Sequence, residues 1–415
     1  MYIKRELEDK IKSYLNKPEI LAVIGPRQSG KTTLLKQIAK PLKKAKYIDF
    51  EDRDTLNLFN DDIKTFYNLH VKGAEYLFID EFQYAKEGGQ KLKYLYDTHK
   101  TKIIISGSSV LDLTNQALKY LVGRIFTFQL YPFSFKEFLS FRNPALYENL
   151  YLEVKEKIDN YFADKRKTPP LVSDAVIQEI SKYYYEYVIY GGYPRVAIAD
   201  GKEEKITVLK NIYNIYLLRE IRDILQLSTE LELQKLIKAL ALQTGSLVVY
   251  NELSQITSLN YKKLLEHINI LEKTFLIKKV MPFYRNKRVE IAKSPKVYFC
   301  DNGFRNVAID NFQELVQRTD RGKLNENFVA SQLLKEEDNI NYWRTKSNAE
   351  IDFILERRGQ ITAVEVKSTL HSNKTGRALL SFKEKYSPNK MVVLSENYFA
   401  FDKKRNVLFM PLFFI

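Results

Sequence analysis

The stretch Gly25-Pro26-Arg27-Gln28-Ser29-Gly30-Lys31-Thr32 fits the spacing G-x-x-x-x-G-K-[ST] in full. The chemistry this spacing serves is phosphate binding. Glycines at 25 and 30 let the backbone curl until its N–H groups face phosphate oxygens, and a helix opening behind them adds positive potential. The expected contacts to a nucleoside triphosphate run over Gly25, Pro26, Arg27, Gln28, Ser29, Gly30, Lys31, Thr32 and Thr33. Within that set the Lys31 ammonium sits on the terminal phosphates and the Thr32 hydroxyl ligates Mg²⁺. An independent constellation is Tyr76-Leu77-Phe78-Ile79-Asp80-Glu81, an apolar run ending in two acids. Asp80 at a strand tip suits Mg²⁺, directly or through water, and Glu81 suits a general base toward the attacking water. In Lys102–Ser109 an apolar run ends in small hydroxyls, and Ser106 is the candidate to read the γ-phosphate or to position water; a plain Ser/Gly turn remains an alternative there.

Several elements must hold these residues. Ile20-Leu21-Ala22-Val23-Ile24 is a short continuous apolar run, as for a strand buried on both faces. Thr33–Ile38 carries apolar residues at helical spacing, so the loop lies between a strand and a helix. Tyr47-Ile48-Asp49-Phe50-Glu51-Asp52 reads as a further strand, and the strand–helix alternation predicts a parallel sheet.

Length and composition set the frame. The chain has 415 residues, enough for two to four domains at about 100–200 residues each. It is 45% hydrophobic and 13% aromatic, which excludes global disorder. Its net charge of +15 favours an acidic polymer, nucleic acid first, as a partner. Cys300 is the single cysteine, which excludes an internal disulfide and a cysteine-based zinc site. Charges near the start replace the apolar core of a signal peptide, and no apolar run approaches the roughly 18–20 residues of a membrane span. The expected location is the cytoplasm, with no membrane partner; a homo-oligomer is left open.

Taken together, Gly25–Thr32, the acidic pair with Phe82-Gln83, and Ser106-Gly107-Ser108-Ser109 resemble the AAA-type P-loop ATPases of bacteria and archaea, in a family whose C-terminal half was long described as a domain of unknown function. Leu121-Val122-Gly123-Arg124, Leu130–Leu139 and Gly191-Gly192-Tyr193-Pro194-Arg195 resemble further markers of that family, so the likeness spans nearly the whole chain. The resemblance implies ATP and ADP as the nucleotides, and it implies Arg124 as an arginine finger or phosphate sensor.

Beyond the first 140 residues the chain turns helical and Tyr-rich. Lys165–Pro170 reads as an exposed loop, and Ile206–Leu227 as a lid or connecting helix. Residues 231–300 fit a winged helix-turn-helix, with helices at 231–242, 250–256 and 260–271 and a strand pair at 275–277 and 297–299. In the third helix Leu264, Leu265, Ile268 and Leu271 form the expected buried face. Tyr261, Lys262 and Lys263 stand where a recognition helix meets DNA. Arg285, Lys287 and Arg288 form a basic tip between the strands, suited to phosphates. In the last stretch, Gly322–Leu334 is an amphipathic helix bearing Glu326. Asp352 lies on a strand, and Glu365-Val366-Lys367 follows one hairpin later. This order resembles the restriction-endonuclease-like fold. The resemblance places Glu326, Asp352, Glu365 and Lys367 around Mg²⁺, with Glu365 and Lys367 on one face of a strand. A same-face ion pair is the plainer reading of Glu365 and Lys367.

The expected architecture is a multidomain α/β protein. A P-loop ATPase core spans 1–140, a helical lid or linker 141–230, a winged helix 231–300, and a restriction-endonuclease-like α/β domain 301–415. The expected function is ATP binding and hydrolysis coupled to DNA association, with nuclease activity open. The alternative is a nucleotide-gated adaptor that binds a partner without cleavage.

Overall fold

The computed structural model describes residues 2–108, 119–164, 168–215, 221–225, 230–286, 290, 293–336 and 339–415. Ser109, Lys165–Lys167, Arg219, Glu220, Lys287 and Arg288 lie outside them. The chain divides into two compact units. One is Met1–Phe133 with Lys273–Phe275; the other is Ser134–Glu272 with Leu276–Ile415. The expected boundary at 140 therefore falls seven residues inside the second unit, and those at 230 and 300 also fall within it.

The first unit is built on β1 (Ile20–Ile24), β2 (Ala45–Asp49), β3 (Tyr76–Asp80), β4 (Lys102–Gly107) and β5 (Ile125–Gln129). Their order is β2-β3-β4-β1-β5 and every pairing is parallel. Because side chains alternate along a strand, β1 feeds two cores. Leu21 and Val23 pack with Leu34, Leu35 and Ile38 of the helix Lys31–Ala39. Ile20, Ala22 and Ile24 join Phe50, Phe59, Phe66, Leu92 and Leu95 on the other face. Full burial on both faces explains why the run is apolar without alternation.

The second unit holds an eight-stranded mixed sheet. Its strands are β6 (Ile277–Pro282), β7 (Lys296–Phe299), β8 (Ile340–Arg344), β9 (Glu350–Arg357), β10 (Gln360–Val366), β11 (Lys390–Ser395), β12 (Ala400–Asp402) and β13 (Val407–Pro411). The order is β12-β13-β11-β10-β9-β8-β6-β7. The strand pair expected as a separate wing is thus the edge of this sheet. β6 and β7 pair antiparallel, and Met281 and Pro282 of β6 continue in parallel with Asn341 and Tyr342 of β8. Arg358 and Gly359, both at positive φ, make the tight β9–β10 turn.

Helices Leu231–Leu242, Tyr250–Thr257 and Tyr261–Lys273 precede the β6–β7 hairpin, in the order the sequence implied. One detail differs: Leu265 is 38% exposed, and His267 takes a buried place beside Leu264, Ile268 and Leu271. The helix Arg321–Glu336 differs more. It is covered nearly all round rather than amphipathic, and its buried polar groups are satisfied in pairs. Asn325 accepts from Tyr184 at 2.8 Å and donates to Glu396 at 2.6 Å, while Arg321 grips Glu396 with two bonds at 2.7 and 2.5 Å. Charge-paired partners make such burial tolerable.

Two of the family-like markers have packing roles. Ser134 and Glu137 form a capping box at the helix Phe135–Arg142, and Phe135 meets Tyr151, Tyr184, Tyr187, Phe328 and Phe413 edge-on or tilted. Gly191, at φ 78, leaves room for the buried Asp301 carboxylate: a Cβ there would lie 2.1 Å from Asp301 Oδ1. The Gly192 N–H donates to Asp301 Oδ2 at 2.7 Å. Among the described residues no helix is long and apolar enough to cross a membrane.

Candidate functional site: a phosphate loop, and an acid cluster closed by lysine

The loop begins where β1 ends. Leu130 N–H donates to Ile24 O at 2.7 Å, which brings the chain after β5 hard against residue 25. A Cβ on residue 25 would lie 2.1 Å from Leu130 O, so glycine is required by close approach. Gln28 at φ 58 and Gly30 at φ 97 complete the curl, and Gly30 opens the helix Lys31–Ala39. Ser29 is wholly buried, and its Oγ has no hydrogen-bond partner among the described residues. Lys31 is 5% exposed; its Nζ donates to the carbonyls of Gly25 at 3.0 Å and Pro26 at 2.9 Å. An orphaned hydroxyl, a buried ammonium and a helix N-terminus within one loop suit a phosphate chain.

The acids stand one strand away. β4 lies between β1 and β3, and its register sets Ser106 beside Val23 of β1. Ser106 Oγ donates to Asp80 Oδ1, and Tyr47 OH donates to Asp80 Oδ2 at 2.7 Å. Asp80 is fully buried at the end of β3, while burial and the Asp80 charge push the Tyr47 phenol upward. Glu81 adopts φ 51, the left-handed region that bulkier residues rarely enter. Burial raises its carboxyl above the ordinary value, against the pull of the Gln83 hydrogen bond and the Lys31 charge. Gln83 Nε2 donates to Glu81 Oε2, and Gln83 Oε1 accepts from Ser108 N–H at 3.3 Å. Thr32 stands in the first turn of the helix Lys31–Ala39 and Asp80 at the end of β3, a hydroxyl and a carboxylate of the hard-oxygen kind that Mg²⁺ takes. Such a pair fits an ion held mostly by water and phosphate, which needs few protein ligands. No group of three or more His, Cys, Asp or Glu side chains suited to a metal occurs among the described residues.

Arg5 is a member of the site that sequence reasoning missed. It is 4% exposed, donates to Ser29 O at 2.7 Å and to Tyr131 O at 2.6 Å, and lies 4.9 Å over the Phe133 ring. Nothing in its local sequence marks it, because its partners are 24 and 126 residues away. Arg124 moves the other way. It precedes β5, where Ile20 N–H donates to Arg124 O at 2.8 Å, and so stands at the edge of the sheet opposite the loop. Its guanidinium pairs with Asp97 at 3.0 Å. Five strand residues, roughly 16 Å, exceed an arginine's reach, so within one chain Arg124 does not touch a phosphate on Gly25–Thr32.

In the second unit two of the residues expected around a nuclease metal, Glu326 and Asp352, face one further residue, Lys296. Lys296 of β7 is 1% exposed. Its Nζ lies 3.1 Å from Glu326 Oε1, 2.5 Å from Glu350 Oε1 and 4.0 Å from Asp352 Oδ1. Tyr298 OH lies 2.5 Å from Glu326 Oε1 and donates to it, and Arg344 lies 3.3 Å from Glu350. Asp352 Oδ2 accepts from Val366 N–H at 2.7 Å; burial first and the Glu326 charge second push its carboxyl well up. Glu365 is 6% exposed and pairs with Lys367 at 2.6 Å, as the plainer reading had it.

The expected DNA contacts are only partly placed. Tyr261, at 56% exposure, and the exposed Lys262 and Lys263 begin the helix Tyr261–Lys273. Arg285 is exposed, with its guanidinium 5.7 Å from the Tyr386 ring centre. Lys287 and Arg288 fall outside the described residues.

Comparison with known proteins agrees with this division. Residues 17–139 match the family model described as an AAA domain. Residues 181–315 and 321–415 match two families described as domains of unknown function, DUF8612 and DUF4143. An uncharacterised protein of Haemophilus influenzae is 26% identical over 406 residues, covering 92% of this chain and 90% of its own. Another, from Methanocaldococcus jannaschii, is 25% identical over 431 residues, covering 98% and 86%. Among solved structures, a Walker-type ATPase of Pyrococcus abyssi is 17% identical with a TM-score of 0.48, over 74% of this chain and 96% of that one. With the loop, Asp80, Glu81 and the parallel sheet in place, the family match over 17–139 makes the N-terminal unit an ATP-binding, AAA-type P-loop NTPase domain.

Proposed function

We propose that the protein hydrolyses ATP and uses nucleotide state to govern its association with DNA. The observation that carries the first half is the arrangement at the ends of β1, β4 and β3: a phosphate loop, a serine fixed on a buried aspartate, and a glutamate held at positive φ. On this reading the loop amides and Lys31 bind the phosphates, while Ser29 Oγ gains an acceptor. Thr32 and Asp80 would hold Mg²⁺, which would supply charge neutralisation on the phosphates. Glu81 takes a proton from water as the water oxygen attacks the γ-phosphorus and ADP leaves. Its raised carboxyl makes it a better proton acceptor than an ordinary one, and Gln83 fixes its direction. Steady-state ATP hydrolysis with Lys31→Ala and Glu81→Gln tests this half; unchanged turnover in both refutes it.

The second half rests on the +15 charge and on the exposed Lys262, Lys263 and Arg285 in a winged-helix-like order of elements. A second reading has an observation of its own. Leu242, Val249, Ile256, Tyr261 and Leu265 are exposed apolar side chains within this same stretch, as on a surface that meets another protein. It makes the protein a nucleotide-gated adaptor. Plasmid, linear and branched DNA, with Mg²⁺ or Mn²⁺ and with or without ATP, separate the two. Binding that weakens steeply with salt supports the DNA reading; no binding to any of them supports the adaptor.

A further inference from the structure

We propose that Lys296 is the resident cation of the C-terminal acid cluster and that it keeps divalent metal out, so that the restriction-endonuclease-like constellation is not a metal site in this chain. The geometry is that of an ion already satisfied. An ammonium has three N–H donors. Two of those on Lys296 reach Glu326 and Glu350, at 3.1 and 2.5 Å, and the third side of the group faces Asp352 at 4.0 Å.

The surroundings hold it there. Tyr298 bonds Glu326 from the same strand as Lys296, the Tyr342 ring lies 5.6 Å from its Nζ, and Gly245 backs Glu326 so closely that a Cβ would lie 2.9 Å from Oε2. The remaining acid is answered separately, Glu365 by Lys367 at 2.6 Å, and Arg344 lies 3.3 Å from Glu350. Glu365 Oε2 is buried and has no hydrogen-bond partner among the described residues. Mg²⁺ and Mn²⁺ take six oxygen ligands, and the place where Glu326, Glu350 and Asp352 face one another is held by the Lys296 ammonium. A divalent ion would also face two ammonium groups at close range, a repulsion that a sheltered site screens poorly.

Lys296 escaped the sequence reading because it lies 30 residues before Glu326 on what reads as a wing strand. The pairing of β6 with β8, and the bonds between Asn327 and the Phe299 backbone, bring that hairpin to the acids.

Mn²⁺ binding to the full-length, nucleotide-free protein, followed by electron paramagnetic resonance, tests this without reference to DNA or to ATP hydrolysis. The wild type and Asp352→Asn are expected to bind Mn²⁺ alike. Lys296→Met is expected to gain a site that binds about tenfold more tightly or better, since it frees three carboxylates. Adding Asp352→Asn to Lys296→Met should abolish that gain. A site in the wild type that Asp352→Asn removes would overturn the proposal, as would a folded Lys296→Met that gains none. If Lys296→Met does not fold, the comparison of wild type with Asp352→Asn decides alone. Because ATPase variants of Lys31 are read separately, failure here is distinguishable from failure of the nucleotide reading.

Discussion

Lys31 and Glu81 carry opposite duties, and substituting each separates binding from chemistry. Glu81→Gln keeps the side chain's size and its contact with Gln83 but cannot take a proton. It should bind ATP as the wild type does and turn over about 10²–10⁴-fold more slowly, checked by single-turnover hydrolysis. Asp352 gives a prediction with a sign. Its carboxyl is raised from the ordinary carboxylate value to about 8, because burial and Glu326 oppose its charge. Between those two values the folded protein holds a proton that the unfolded chain has released. Stability contributed by this group is therefore full at low pH and falls as pH rises toward 8. Asp352→Asn removes that loss, so its melting temperature should gain on the wild type from pH 5 to pH 8; a constant difference would contradict the assignment. At this scale the sequence showed what local pattern can show. Asp80 and Glu81 were legible because an apolar run ends in them. Tyr47, Arg5 and Lys296 were not, since each acquires its role from a partner that only strand order and loop path bring near.

Among the elements, the phosphate loop depends on what packs beneath it. Arg5→Ala removes two charge-assisted bonds, to Ser29 O and Tyr131 O, each worth about 1.5–3 kcal/mol. The loop should then hold ATP about tenfold more weakly or worse, with kcat reduced less than KM is raised; an unchanged KM would show that the loop needs no such support. The helix Arg321–Glu336 is the matching element of the second unit. Phe328 is fully buried against Phe135, Tyr184 and Tyr187 at 6.0, 4.9 and 5.7 Å. Phe328→Ala should cost about 3–5 kcal/mol of that unit's stability in denaturant unfolding. β1 to β4 were legible from apolar runs, and β9 and β10 from the turn between them, whereas β5, β11 and β12 were not marked out. The fate of β6 and β7 was not, because a hairpin's local pattern is the same whether it stands alone or joins a sheet edge. The buried helix misled for a related reason: Asn325, Asn327, Ser331 and Gln332 look like a solvent face until their partners are known.

For the whole molecule, the surplus of positive charge sets an expectation about partners. Replacing Lys262 and Lys263 together by alanine should weaken DNA binding similarly across sequences and flatten its salt dependence by about two units of slope, as for two lost phosphate contacts. That is checked by titration at several salt concentrations, and an unaltered slope would move the DNA surface elsewhere. All of the coupling assigned to the protein begins with a nucleotide on the loop Gly25–Thr32. The direct test is a titration of ATP into wild-type protein and Lys31→Ala in the presence of Mg²⁺. The account predicts saturable binding by the wild type and affinity about tenfold to a hundredfold weaker in the variant. Absence of saturable binding in the wild type, or equal affinity in the two, would contradict it.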